Sequence, residues 1–146
     1  MWQAYPSGQI KRLIFPVAAG LAYGVIGLAF GALANQAPSD RARIAWRLAA
    51  WVVSGVVFAA HIAYSQLRVR PRPRPVSTAL QASAGAALGA FVLAVAATAH
   101  ALQIGASNLA LYRAALVVWP AGTAVAAFVA ALVPAVALAW LARRRV

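Results

Sequence analysis

Cysteine is absent from this chain of 146 residues, which excludes disulfides, thiolate metal sites, iron–sulfur clusters and thiol redox chemistry. Carboxylates are nearly absent, since Asp40 is the only acidic side chain. Ion-coupled transport through a buried Asp or Glu therefore lacks its central group, and acid–base catalysis lacks a second carboxylate. The chain also has no glycine-rich phosphate loop followed by lysine, no HExxH and no nucleophile–base pair with an acidic partner. The expectation is a protein that is not an enzyme and carries no cofactor. Two histidines remain, His61 and His100. Their depths in the second and third apolar runs differ by ~20 Å at 1.5 Å per residue, too far for both to ligate one haem iron.

Apolar residues are what the chain has in excess: 64% of the sequence, with a mean hydropathy of +0.80, against roughly 45–50% in soluble domains. A water-soluble fold of this size could not hide so much apolar surface, so the bilayer is the expected solvent. No alternating strand pattern is present, and an open sheet edge cannot be satisfied in lipid. The expected fold class is all-α: a polytopic membrane protein with four transmembrane helices in an up-down bundle. The spans fall at about 13–33, 44–66, 78–103 and 112–142 and form a single domain over 1–146. Pro16 falls in the first turn of the first span, where a missing amide donor is tolerated. In the turn Asn35-Gln-Ala-Pro-Ser-Asp40, either Ser39 or Asp40 is placed to cap the second helix. Pro120 and Pro134 interrupt the fourth span, and Pro134 should kink its inner half.

A basic lead-in followed by an apolar run and Ala32-Leu-Ala34 imitates a cleaved secretory signal. The run exceeds the usual ~7–15 residues of such a signal, so it reads as a retained span.

The chain divides at Arg68-Val-Arg-Pro-Arg-Pro-Arg-Pro75. Prolines at alternate positions remove amide donors and push the residues before them out of the helical region, which leaves a short extended connector. The net charge of +12 would suggest nucleic acid in a soluble protein. Here the cations flank apolar runs, where they set topology, and no nucleic-acid partner is expected. Lys11, Arg12, Arg68, Arg70, Arg72, Arg74, Arg143, Arg144 and Arg145 fall on one side, and Arg41, Arg43, Arg47 and Arg113 on the other. Both termini and the 68–75 connector are therefore expected in the cytoplasm, at a cytoplasmic (inner) membrane. Trp2 and Tyr5 in the lead-in, and Trp46, Trp51, Tyr64, Tyr112, Trp119 and Trp140 at the span ends, suit headgroup depth. Arg68, Arg70, Arg72, Arg74, Arg143, Arg144 and Arg145 are expected to meet anionic lipid.

Three constellations stand out. Gly20, Gly24, Gly27 and Gly31 fall within an arc of roughly 60° on the first helix, and Gly85 and Gly89 share a face of the third. Glycine admits the close backbone approach on which association in lipid depends, so these six are expected at helix contacts, within the monomer or between copies. A polar stripe on the second helix (Arg43, Arg47, Ser54, His61, Ser65, Arg68) and one on the third (Gln81, Gly85, Gly89, Ala96, His100, Gln103) are expected to face one another or the glycine groove. Depth groups some of their members and nearby polar residues into two layers. His61, Ser65, Gln66 and Gln81 form a possible inner polar cluster. Arg47, His100, Gln103, Asp40 and Arg113 form a possible outer one, suited to a small anion or a lipid headgroup.

The function these features imply is that of an assembly subunit, scaffold or lipid-contacting accessory protein. A homo-oligomer or a membrane-protein partner is compatible with it. The alternative is a small oligomeric channel or facilitator for a small solute or anion, lined by the second and third helices.

Overall fold

The computed structural model of the chain describes residues 7–69 and 74–144, except the side chains of residues 7–13, 142 and 143. The surface positions assigned above to Trp2, Tyr5, Arg70, Arg72 and Arg145, and to the side chains of Lys11, Arg12 and Arg143, lie outside the described residues.

The fold is all-α, with α1 over Ser7–Asn35, α2 over Asp40–Leu67, α3 over Pro75–Gln103 and α4 over Leu109–Arg143. All four helices are long and apolar enough to cross a membrane. The shortest has 28 residues, about 42 Å at 1.5 Å per residue, which exceeds a ~30 Å hydrocarbon core.

The helix ends follow local chemistry. Ser39 caps α2, its Oγ accepting from the Ala42 amide at 3.2 Å, and Asp40 becomes the first helical residue. Pro75 opens α3, where a missing amide donor costs nothing, and Arg74 before it is held extended at φ −62°, ψ 142°. Gly105 stops α3 with a left-handed φ of 63°. The Ala106 amide then donates to the Ala101 carbonyl at 2.9 Å and the Gly105 amide to Leu102 at 3.3 Å, the paired bonds of a glycine-terminated helix. One expectation changes. Because α1 starts at Ser7, Pro16 lies inside the helix rather than in its first turn. In α4, Pro120 and Pro134 both lie within one continuous helix.

Successive helices run in opposite directions. Phe15 of α1 meets His61 and Tyr64 near the end of α2, and Phe30 meets Trp46 near its start. Thr98 near the end of α3 reaches the Tyr112 carbonyl near the start of α4. The closest associations are α3 with α4 and α1 with α3; α2 touches α3 and α4 least, and α1 and α4 do not meet among the described residues. The central cluster is built from Ile62, Ala79, Ala82, Ala131 and Ala135, with Phe58, Phe128, Leu132 and Leu138 against it. It sits in the half of the bundle nearer the 68–75 connector, where α2, α3 and α4 converge.

Candidate functional site

The glycines at the α1–α3 crossing allow backbone to lie against backbone. A β-carbon on Gly20 would sit 2.7 Å from Leu88 Cβ and 2.9 Å from the Gly85 carbonyl oxygen. One on Gly89 would sit 2.6 Å from Tyr23 Cβ and 3.2 Å from the Gly20 oxygen. Gly24 and Gly27 receive Val92 and Leu93, and Gly85 faces the Pro16 oxygen and Ala19. Five of the six expected packing glycines thus meet within this monomer. Gly31 has open space where a side chain would be. The polar stripe of α3 therefore turns toward the glycine groove at Gly85 and Gly89. At its Thr78 end the same face meets α2 through Gln66.

The inner polar set is gathered at the connector end. His61, Ser65 and Gln66 are buried on the last two turns of α2, and Thr78 and Ser83 are buried on the first turns of α3. The Gln66 amide Nε2 donates to Thr78 Oγ1 at 2.7 Å, tying α2 to α3 across the arginine-proline connector. A bond of this kind inside lipid contributes about 0.6–2 kcal/mol. Gln81 is half-buried one turn further along α3. Ser83 Oγ donates to its own helix at the Leu80 carbonyl, 3.0 Å away. Thr78 had a legible signal, since it lies seven residues before Gly85 and extends the stripe of Gln81, Gly85 and Gly89. It was hidden by its place at the margin of the span.

His61 is the unusual member. It is 6% exposed, and neither Nδ1 nor Nε2 has a hydrogen-bond partner. The Phe15 ring meets it edge-on at a centroid distance of 5.1 Å, and Phe15 in turn stacks on Tyr64 at 5.6 Å and 3°. Phe15 and Tyr64 are themselves 43% and 50% exposed.

The outer set has a different geometry. Arg47, His100, Gln103, Asp40 and Arg113 are all exposed, and no ion pair or hydrogen bond links them among the described residues. Asp40 pairs with Arg43 instead, at 3.1 Å and three residues along the same helix. A carboxylate three positions before a guanidinium on one helix reaches it without crossing the bundle. Thr98, which shares that half, shares its hydroxyl between the Ala94 carbonyl at 2.7 Å and the Tyr112 carbonyl at 3.2 Å, and so joins α3 to α4.

Among the described residues no group of three His, Cys, Asp or Glu is positioned to hold a metal ion. Arg144 stacks its guanidinium 3.5 Å from the Trp140 ring centroid, an arrangement suited to an interfacial anchor. Every described arginine is exposed: Arg41, Arg43, Arg47, Arg68, Arg74, Arg113 and Arg144. Comparison with protein-family models, with curated proteins and with solved structures found no match for the chain.

Proposed function

We propose that the chain is a multi-pass protein of the cytoplasmic (inner) membrane, with both termini and the 68–75 connector on the cytoplasmic side. It acts without catalysis, as an assembly subunit, scaffold or lipid-contacting accessory. One observation carries the reading: the central cluster is closed by alanine, aliphatic and phenylalanine side chains, the buried polar groups are gathered at the connector end, and every described arginine stays outside. A transport path needs polar groups lined up across the bilayer. Here the buried polar side chains of α2 are confined to its last two turns, and α2 and α3 meet sparsely. That pattern favours the scaffold over the channel.

The charge balance supports a lipid-contacting role. Arg68 and Arg74 flank the connector, and the sole acidic side chain lies at the far end of α2. No acidic side chain compensates the connector, and anionic headgroups supply roughly 1 kcal/mol per arginine near the surface.

The topology is tested on the cysteine-free chain by single substitutions. Val69→Cys should resist a membrane-impermeant thiol reagent in intact cells, while Ser39→Cys and Ser107→Cys should react. The reverse pattern inverts the orientation. The role is tested by purification in mild detergent and mass spectrometry of everything retained. Anionic lipid or a stoichiometric protein partner is the expected result. Solute flux through vesicles containing the pure protein would instead establish the channel.

A further inference from the structure

We infer that the α2 face formed by His61, Ser65 and Arg68, together with Arg74 across the connector, binds one ester-linked anionic glycerophospholipid. Its phosphate lies at the arginines, and one fatty-ester carbonyl accepts a hydrogen bond from the His61 imidazole. This rests on the anionic-lipid part of the function proposed above and adds a specific site and a specific contact to it.

His61 supplies the first observation. A neutral imidazole carries one N–H donor and one acceptor nitrogen, and here both nitrogens are buried without a partner. Buried polar groups are normally hydrogen-bonded. Phe15, whose ring meets the imidazole edge-on, is partly exposed, as is Tyr64 stacked on it. A rotamer change of Phe15, the ring in edge contact with the imidazole, opens the approach from the hydrocarbon side. The visitor must therefore be a molecule dissolved in the bilayer that offers a carbonyl or hydroxyl at that depth.

Arg68 supplies the second observation, and it selects the lipid. It lies on the face of His61, seven residues further along, about 10 Å toward the membrane surface at 1.5 Å per residue. The Gln66–Thr78 hydrogen bond holds the end of α2 against the start of α3, so that Arg68 and Arg74 border the same junction. Neither has an intramolecular acid, because Asp40 is paired with Arg43 at the opposite end of the helix. The interfacial layer on one side of a bilayer is about 5–8 Å thick. A glycerophospholipid spans that layer from phosphate to ester carbonyls, and arginine reach covers the rest. Ser65 lies between the two contacts and is buried on the same face.

The contact is tested by replacing one atom type in the lipid. The full chain is placed in phosphatidylcholine nanodiscs holding equal amounts of diester and diether phosphatidylglycerol with matched chains, and retained lipid is measured by native mass spectrometry. The diester should be retained roughly two- to tenfold over the diether, the effect of one hydrogen bond. His61→Phe should bring that ratio to one while phosphatidylglycerol stays preferred over phosphatidylcholine. Arg68→Ala with Arg74→Ala should weaken the preference for the anionic lipid and leave the ester-to-ether ratio in place. Equal retention of diester and diether by the unaltered protein, with the anionic preference intact, overturns the histidine contact alone. No preference for phosphatidylglycerol over phosphatidylcholine overturns the lipid-contacting function as well. If His61→Phe does not fold, the unaltered protein decides through lipid with carbon-13 ester carbonyls. A low-frequency infrared carbonyl component that appears with bound protein supports the contact, and an unshifted band refutes it.

Discussion

The α1–α3 crossing and the exposed side of α2 are both apolar helix surface, yet one is packed to the backbone and the other stands open. At the crossing, Gly20 and Gly89 leave no room for a methyl group. On α2, Trp51 is 78% exposed, and Gly55 has nothing within reach of a side chain. The difference shows that hydrophobicity does not choose partners in lipid. Hydrocarbon chains solvate Leu48, Val52 and Val56 as well as a neighbouring helix would, so burying them gains little. Close backbone approach gains dispersion contacts that lipid cannot match, and the glycine-lined pair supplies it.

The comparison breaks most sharply if a large side chain enters the crossing. Gly20→Leu should cost on the order of 3 kcal/mol, because Leu88 Cβ and the Gly85 carbonyl are backbone-fixed and cannot move aside. Reversible unfolding in mixed detergent micelles measures it, and a change below about 0.5 kcal/mol would remove the crossing as a tight contact. The polar tie at the connector comes next. Thr78→Val should cost about 1–2 kcal/mol by removing the acceptor of the Gln66 amide. Gln66→Leu combined with Thr78→Val should cost less than the sum of the two, since the pair acts as a unit.

The open surface should respond in the opposite sense. Gly55→Ala and Gly122→Ala meet nothing within 4 Å and should stabilise by up to about 1 kcal/mol through the lower helix cost of alanine. A clear loss at either site would mean that these glycines are covered by another subunit, which blue-native electrophoresis would reveal. The smallest effect belongs to Asp40→Asn. Its ion pair with Arg43 is solvent-exposed, so stability should change by less than about 0.5 kcal/mol, and less still at high salt.

Helix number and placement were legible because they depend on the length of apolar runs and on local stop signals. The glycines were legible as a face, through their spacing, but their partner was not. Gly20 and Gly85 meet because α1 and α3 run parallel as neighbours, which no local pattern encodes. The inner polar layer was half legible. His61, Ser65 and Gln66 stood out as polar residues in an apolar run, while Thr78 was read as a span boundary. The outer set was grouped by depth alone. Depth does not distinguish a residue facing a neighbour from one facing outward, and Arg47, His100 and Arg113 are exposed. Asp40 chose the nearest arginine along its own helix, a choice that spacing could have announced.

Composition and residue order by themselves determined that this protein is helical, apolar along four segments and divided by a cationic, proline-containing connector. Those properties follow from backbone hydrogen bonding and from the cost of charge in oil, which act residue by residue. Only the tertiary structure decided that α1 lies against α3, that the buried residues of α2 gather near the connector, and that His61 ends up buried with both nitrogens unpaired. Those outcomes depend on which surfaces fit at van der Waals distance, and fit is a property of two helices together.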